Sequence, residues 1–323
     1  MNISVIVCSW NNPERLTASL EAMSLCRIPA GVEWEIVVVN SGAGEATSSV
    51  ARRYAGRLPI RHVETARPGL SRAKNAGLHA ATGSLLVFAD DDVQPAREWL
   101  AAYWTAYQVR AAGHYFGGPI VPDYEGGPPS EELLRVAGGA IRGVDWGPEP
   151  RALSDAERFY PANWACPAAT IHAVGEFNVQ LGLDASLGQR RVGETFDMMD
   201  RLAALGLAPW YVPGAGVRHF VPRAKCTMAF LGENAEAIGR YSVRAARPHP
   251  LLVRRPHLRR YCERQRDSNS WTDGVPWPLY IRTALLGGRW IGARALGRRA
   301  YPEYVDLRFC IGLIRGHREL RAT

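Results

Sequence analysis

The sequence lacks several features that mark whole classes of proteins. No uninterrupted apolar stretch among its 323 residues approaches the length of a membrane span, so we expect no transmembrane helix. Its six cysteines include no Cys-x-x-Cys pair and no spacing typical of metal ligands, which predicts reduced thiols in a cytoplasmic protein. Residues 2–8 form a short β-type run without the basic flank of a signal peptide. We also find no internal repeat, no low-complexity tract and no module typical of RNA or DNA binding.

The composition is that of an ordinary globular protein. Hydrophobic residues make up 47% of the chain and charged residues 22%, which suits one large domain with an appendage, or two modest domains. The net charge is +8, and arginines are concentrated in the last third of the chain. This asymmetry predicts an anionic partner.

Three mostly apolar runs predict buried β-strands. They are Ile3–Cys8, Glu35–Val39 and Leu85–Ala89. Pro13–Leu25 has the apolar spacing of an amphipathic helix that begins at a proline. Such β-α-β units form a parallel sheet covered by helices, and ligands bind beyond the carboxyl ends of its strands. The polar segments 9–12, 40–45 and 90–92 follow these strands, so we expect them to line one crevice.

Three consecutive carboxylates, Asp90, Asp91 and Asp92, follow the third apolar run. Like charges this close repel and raise one another's pKa, so the cluster needs a compensating cation or hydrogen-bond donor. Oxygen ligands suit Mg2+ or Mn2+. The alternative interpretation is a solvated acidic turn that caps a helix beginning near Pro95.

A glycine turn with basic residues, Arg67–Gly77, precedes the third strand and leads into a predicted helix. Backbone amides at a helix N-terminus bind anions, and Arg72 or Lys74 can add positive charge, which predicts a phosphate site. A plain turn is the alternative.

Together these segments resemble the family 2 glycosyltransferases. The family's motifs are matched in order over residues 3–222 by Ser9–Pro13, Asn40–Thr47, Ala73–Gly77, Asp90–Pro95, Val174–Asn178, Gly193–Asp197, Arg201–Leu202 and Val212–His219. The metal motif Asp-x-Asp of the family corresponds to Asp90 and Asp92, and its strand ending in a histidine to Val212–His219. The order of the motifs is more specific than any one of them.

The resemblance implies an α/β fold of the GT-A type, a Rossmann-like and mostly parallel sheet flanked by helices, with a C-terminal helical extension. It implies a glycosyltransferase domain over residues 1–239, divided into a nucleotide-sugar half, 1–116, and an acceptor half, 117–239. Residues 117–167 are rich in Gly and Pro and predict long loops within this domain. Residues 240–323 form the basic, Arg- and Trp-rich extension.

The implied reaction moves a sugar from a nucleotide-diphosphate-sugar donor to a hydroxyl acceptor with inversion. Mn2+ or Mg2+ is expected on Asp90, Asp92 and His219, where it would stabilise the diphosphate leaving group. A histidine satisfied by hydrogen bonds at a strand end is the alternative for His219.

Inversion needs a carboxylate base, and here the sequence departs from the family. The family usually has its base at the aspartate of Gly-Glu-Asp, whereas this chain has Thr195, which cannot serve as a base at neutral pH. We therefore expect Glu194 to be the base, with Asp197 second, because both face one side of a helix at i, i+3 spacing. A helix cap is the alternative for Glu194.

The resemblance also implies residues that contact the donor and the acceptor. For the donor they are Ser9, Asn11, Asn40, Gly42, Gly69, Arg72, Lys74, Asn75, Asp90 and Asp91. Asn40 stands where the family commonly has an aspartate, and its amide can still pair with a base edge. Asn163 and Trp164 are expected to contact the acceptor, since aromatic rings stack on sugar faces, although most such aromatics are core residues.

The basic tail interleaves arginines with aromatic and aliphatic residues over 254–260 and 277–291. This pattern favours a helix that lies in a membrane interface, and a helix packed on the catalytic domain with a solvated basic face is the alternative. The expected partners are a nucleotide-sugar donor, a saccharide or lipid-linked saccharide acceptor and an anionic membrane surface, without nucleic acid. We expect a cytoplasmic protein, with peripheral association at the inner face of the membrane.

Two rival functions remain open on the sequence. A nucleotidyltransferase also holds a metal on aspartates at a strand end, but it leaves Gly193–Arg201 and His219 unexplained. A nucleotide-sugar-binding homologue with impaired catalysis fits the departures at Thr195 and Asn40.

Overall fold

The computed structural model describes residues 1–154, 157–184, 186–187, 189–245, 258, 271–272 and 275–321. The strands are β1 (Ile3–Ser9), β2 (Trp34–Ser41), β3 (Ile60–Thr65), β4 (Leu85–Asp90), β5 (Val93–Pro95), β6 (His114–Gly117), β7 (Ile120–Tyr124), β8 (Arg151–Ala152), β9 (Asn163–Pro167), β10 (Ala208–Tyr211), β11 (Val217–Val221), β12 (Trp271–Thr272) and β13 (Val275–Pro276). The helices are α1 (Pro13–Met23), α2 (Glu45–Tyr54), α3 (Leu70–Ala80), α4 (Trp99–Arg110), α5 (Glu131–Val136), α6 (Gly139–Arg142), α7 (Ala168–Val174), α8 (Glu194–Ala204), α9 (Met228–Ser242), α10 (Trp277–Ala295) and α11 (Tyr301–Arg321).

The central sheet has eight strands in the order β3-β2-β1-β4-β9-β6-β10-β8. Strands β3, β2, β1 and β4 are parallel neighbours, and β9 runs antiparallel to both β4 and β6. Helices cover the sheet, so β1, β2 and β4 are buried nearly throughout, as their apolar runs predicted. The predicted α/β fold class, with a mostly parallel sheet flanked by helices and a helical C-terminal part, is confirmed.

A second, three-stranded sheet has the order β5-β11-β7. Strand β5 follows directly on the aspartates, so the expectation of a helix near Pro95 is wrong, and α4 begins only at Trp99. Pairing with β11 holds residues 93–95 extended, with Val217 opposite Pro95 and His219 opposite Val93. The pairing matters for the site because it carries His219 to the end of β4.

The Gly- and Pro-rich stretch 117–167 is more ordered than its predicted long loops. It contains β7, α5, α6, β8 and β9, and β9 lies inside the central sheet. This strand escaped detection because its five residues, Asn-Trp-Ala-Cys-Pro, show no alternation and little β-branching.

The described chain divides into two compact units. The first comprises Met1–Asp123, Arg142–Gly188 and Glu194–Phe220, and the second Tyr124–Ile141, Gln189–Gly193 and Val221–Thr323. The predicted boundary at residues 239 and 240 falls within α9, and the division into domains stays a prediction. In the second unit α9, α10 and α11 share one apolar cluster that includes Leu231, Leu279 and Phe309. Among the described residues no helix combines the length and the hydropathy needed to cross a membrane.

Candidate functional site

Three potential metal ligands meet at the carboxyl end of β4. Asp90 ends that strand, Asp92 lies between β4 and β5, and His219 comes from β11. One ligand atom from each lies within 4.8 Å of the other two, and His219 Nε2 is 3.3 Å from Asp92 Oδ1. The backbone fixes this approach, because the Phe220 amide donates to the Asp92 carbonyl at 2.9 Å. The structure thus brings together the three residues that the sequence analysis nominated for a metal.

The electrostatics of this cluster favour a cation. Burial raises the pKa of Asp90 above its usual range and the Asp92 carboxylate raises it further, while Lys74 and His219 act in the opposite direction. A divalent ion would offset both the burial of the Asp90 carboxylate and its repulsion by Asp92, because it would bring positive charge next to the two carboxylates. The two carboxylates suit Mn2+ or Mg2+, and the added imidazole nitrogen favours a transition metal such as Mn2+ over Mg2+. The residues present therefore fit the expected ion.

Asp91, between the two ligands, faces a different set of partners. Ser9 Oγ donates to Asp91 Oδ2 at 2.6 Å, and Asn12 Nδ2 donates to Asp91 Oδ1 at 3.0 Å. Burial raises the pKa of Asp91 to about 7 in spite of these donors. The described contacts of Ser9 and Asp91 thus join the loop after β1 to the end of β4, and their predicted role as donor contacts stays untested.

A buried ion pair lies beside the metal ligands. Lys74 Nζ of α3 is 2.9 Å from Glu194 Oε1 at the start of α8, and the two side chains are 3% and 5% exposed. Lys74 also donates to Thr195 Oγ1 at 2.8 Å, and that hydroxyl donates to Glu194 Oε1 at 3.1 Å. Burial alone would raise the pKa of Glu194, but the Lys74 charge and these hydrogen bonds hold it below its usual value. Glu194 is therefore ionised at neutral pH.

Asp197, the second candidate base, lies one turn further along α8. It accepts a hydrogen bond from Arg201 Nε at 3.0 Å, and its side chain is 29% exposed. Arg201 also donates to the carbonyls of Val174 and Glu176, so the pair secures the segment after α7. The charge of Glu194 also raises the pKa of Asp90, while its partner Lys74 lowers it, so the ion pair and the metal ligands interact electrostatically.

Asn40 lies at the end of β2, and one side of its amide is fixed by the protein. Its Nδ2 donates to the Gly44 carbonyl and to Ser48 Oγ, both at 2.8 Å. Because a carbonyl only accepts, the amide orientation is settled and Oδ1 must be the acceptor. That buried oxygen has no hydrogen-bond partner among the described residues. A buried acceptor of this kind needs a donor from a bound water or a ligand.

Trp10 is a candidate site residue that the sequence analysis did not name. It is 53% exposed in the loop after β1, at the end of the sheet where Asn40 and the aspartates lie. A Cβ added to Gly42 would lie 3.5 Å from the Trp10 ring, so the tryptophan lies beside the turn that follows Asn40. Its position two residues after the last apolar residue of a buried strand was the available signal. Asn11, next to it, is exposed and has a φ of 49°, a left-handed conformation that asparagine tolerates.

The predicted phosphate site at the N-terminus of α3 is occupied by protein contacts. The Leu183 carbonyl accepts from the Leu70 amide at 2.7 Å, and Asp184 accepts from Arg72 at 2.8 Å. Gly69 has a φ of 141°, and a Cβ there would lie 2.8 Å from the Arg72 guanidinium. Asn75 exchanges hydrogen bonds with the Phe177 backbone in both directions. In the described structure Arg72 and Asn75 thus hold the segment 177–184, and contact with the donor stays a prediction for both.

Asn163 and Trp164, predicted as acceptor contacts, are both fully buried in the core. Asn163 Oδ1 accepts from Trp99 Nε1 and Tyr103 Oη, and its Nδ2 donates to the carbonyls of residues 119 and 215. The Trp164 ring stacks on Phe88, with centroids 4.4 Å apart. These are the contacts of structural residues, and we assign neither residue a role in the site.

Comparisons with known proteins point to one family and one fold. Residues 4–140 match the family model described as glycosyl transferase family 2. The glycosyltransferase AglE of Haloferax volcanii is 30% identical over 101 residues, which are 30% of this chain and 33% of AglE, so the chain aligns with about a third of that relative. The succinoglycan biosynthesis protein ExoM of Rhizobium meliloti is 22% identical over 72% of this chain and 71% of its own length.

Among solved structures, the mannosyltransferase PcManGT from Pyrobaculum calidifontis, in complex with GDP-Man and Mn2+, superposes with a TM-score of 0.60. The superposition covers 98% of this chain and 86% of that one at 20% sequence identity, which shows a common fold. Over residues 4–140 the chain is therefore similar to glycosyl transferase family 2, and its fold is that of the GT-A glycosyltransferases.

Proposed function

We propose that this protein is an inverting glycosyltransferase that moves a sugar from a nucleotide-diphosphate-sugar donor to a hydroxyl acceptor. One observation carries the proposal: the ligand atoms of Asp90, Asp92 and His219 lie within 4.8 Å of one another, close to the buried and ionised Glu194. A diphosphate leaving group needs positive charge, and an acceptor hydroxyl needs a base, and this arrangement offers both within one site.

Asp90, Asp92 and His219 would hold Mn2+ or Mg2+. When bound, the ion supplies Lewis-acid stabilisation to the charge that develops on the departing diphosphate. The Ser9 and Asn12 hydrogen bonds to Asp91 would restrain the end of β4 and with it the two flanking carboxylates that would hold the ion.

The nucleobase would bind between Trp10 and Asn40. The exposed Trp10 ring offers a stacking face, and Asn40 Oδ1 offers a buried acceptor that needs a hydrogen-bond donor. A base edge with a ring N–H, such as that of uracil or guanine, satisfies this acceptor. The choice between the two is left to experiment.

Glu194 would take the proton from the acceptor hydroxyl. Lys74 and Thr195 fix its carboxylate through Oε1, and the lysine charge keeps it ionised and ready to accept. Asp197 remains the second candidate. The acceptor in our proposal is a saccharide or a lipid-linked saccharide, and the protein acts in the cytoplasm, at the inner face of the membrane.

A panel of nucleotide sugars incubated with the protein and Mn2+ tests the proposal, with the product anomer read by NMR. We expect donor hydrolysis or transfer with one donor class, inversion at the anomeric carbon, and loss of turnover on addition of EDTA. In the presence of nucleotide, added metal should raise the melting temperature of the unaltered protein. Asp92→Asn should lose this rise, whereas the control Asp123→Asn, whose side chain lies outside the ligand cluster, should retain it.

The base is tested by a pair of isosteric variants. We expect Glu194→Gln to lower turnover by about 100-fold or more while nucleotide binding persists, and Asp197→Asn to lower it far less. The reverse ranking would reassign the base to Asp197. Nucleotide binding without turnover by the unaltered protein would support the binding-only homologue that Thr195 suggests.

A further inference from the structure

Helix α10 presents two apolar faces. Its inner face is buried through Leu279 and Leu286, which belong to the apolar cluster shared with α11. Trp290 extends this packing, with its ring centroid 5.4 Å from that of Tyr304 on α11. The inner face accounts for the stability of the helix in the second unit.

The outer face is the opposite side of the same helix. It consists of Trp277, Ile281, Leu285 and Ile291, whose exposed fractions are 50%, 48%, 64% and 62%, and the exposed Leu296 follows directly after the helix. At about 100° per residue the four helical positions fall within an arc of roughly 120°, so they form one continuous stripe. Scattered apolar side chains on a surface are ordinary, but a contiguous stripe of this kind marks a binding surface.

The charged residues of the segment that carries the outer face are all basic. From Val275 to Pro302 the sequence contains five arginines, at 282, 289, 294, 298 and 299, and no aspartate or glutamate. Arg289, Arg294 and Arg298 are exposed, and they lie near the edges of the stripe or just beyond its C-terminal end. An apolar stripe flanked by arginines is complementary to a surface that is apolar inside and anionic at its rim.

We propose that the outer face of α10 docks on the surface of an anionic lipid bilayer. The helix lies parallel to the membrane plane, with its apolar side chains among the acyl chains and its arginines on the headgroup phosphates. A second copy of this chain fits the face less well, because the segment offers no acidic residue to pair with the arginines of a facing copy. Binding requires neither metal nor donor, so this inference stands apart from the proposed catalysis.

Vesicle flotation of the full chain, without nucleotide or metal, measures the docking. We expect the protein to float with phosphatidylcholine–phosphatidylglycerol vesicles and to stay behind with phosphatidylcholine alone. The triple variant Trp277→Ser/Ile281→Ser/Leu285→Ser should lower the partition coefficient at least about tenfold. The matched control Leu25→Ser/Val109→Ser/Leu205→Ser removes equally exposed side chains from the first unit and should float like the unaltered protein.

The electrostatic part is tested by Arg289→Gln/Arg294→Gln/Arg298→Gln. Each arginine near an anionic surface strengthens binding about fivefold, so the triple variant should lose roughly a hundredfold and the unaltered protein should detach in high salt. Unchanged thermal stability shows that each variant is folded. If the apolar triple variant unfolds, the single variant Leu285→Glu carries the test.

Three results would overturn the proposal. They are equal flotation with neutral and anionic vesicles, unchanged flotation of the folded outer-face variant, and a dimer in sedimentation that the outer-face substitutions convert to a monomer without any lipid binding. The last result would assign the face to self-association.

Discussion

Replacing Lys74 by methionine tests the electrostatic arrangement beside the metal ligands. The methionine keeps the apolar stem but removes the charge that pairs with Glu194 at 2.9 Å. The Glu194 carboxylate is then left buried, with Thr195 Oγ1 as its remaining side-chain donor in the network and with the Asp90 charge close enough to interact. A buried charge without its partner is costly, so the variant should be markedly less stable.

The magnitude follows from burial. Because the two side chains are only 3% and 5% exposed, solvent screening is small. Removing one partner of such a pair costs about 3–5 kcal/mol in the free energy of unfolding. The double variant Lys74→Met/Glu194→Gln leaves no buried charge in the pair and should recover most of the loss. We expect a coupling energy of about 2 kcal/mol or more from the complete cycle.

Urea unfolding followed by circular dichroism measures these values, with Lys225→Met as the control for loss of a lysine. The control should cost under about 1 kcal/mol. The pH dependence has a definite sign. In the unaltered protein the pKa of Glu194 is lowered, so its ionised carboxylate stabilises the folded state at neutral pH. This stabilisation is lost as the pH falls through the lowered pKa. In Lys74→Met the Glu194 carboxyl is buried without its cation, so its pKa should rise. The difference in the free energy of unfolding between the unaltered protein and this variant should therefore narrow as the pH falls from neutral.

Two results would refute this reasoning. The first is a decrease of less than about 1 kcal/mol in the free energy of unfolding of Lys74→Met. The second is that the effects of Lys74→Met and Glu194→Gln on this free energy simply add in the double variant. Either one would mean that Glu194 is well solvated, in which case its hydrogen bonds to Lys74 and Thr195 would not set its ionisation.

Three further predictions concern other parts of the structure. Asn163→Ala should lower the free energy of unfolding by about 3 kcal/mol or more, because Trp99, Tyr103 and two backbone carbonyls lose a buried partner. The control Asn178→Ala, at an exposed position, should change it by under about 1 kcal/mol. Hydrogen bonds from Arg151 lower the pKa of Glu157 to about 2, so Glu157→Gln should lower the free energy of unfolding by about 1–2 kcal/mol at neutral pH. This difference between the variant and the unaltered protein should shrink as the pH falls below about 4.5 towards 2. A constant difference across that range would contradict the ion pair. Trp10→Ala should lower the affinity for the nucleotide, measured by calorimetry, by about tenfold, while Trp10→Phe should retain most of the affinity. Equal affinities of the two variants would exclude stacking at Trp10.

Local pattern and motif order were sufficient for much of the architecture. The apolar runs of β1, β2 and β4 and the spacing of α1 identified a parallel sheet because both depend on neighbours in sequence. Strand β9 and strand β5 were not identified. Each is short, and each exists because distant segments supply its hydrogen-bonding partners. Strand β9 pairs with β4 and β6, and strand β5 pairs with β11.

The candidate site shows the same division. The sequence alone nominated Asp90, Asp92, His219 and Glu194 through their residue types and their order. Tertiary structure decided that β5 pairs with β11 and so carries His219 to the aspartates, and that Lys74 and Thr195 hold Glu194 in a buried network. It also placed Asn163 and Trp164 in the core, left Asn40 Oδ1 without a partner among the described residues, and exposed Trp10 and the outer face of α10. The physical reason is that a residue's type follows from the sequence, whereas its burial and its partners depend on contacts between segments that are far apart in the chain.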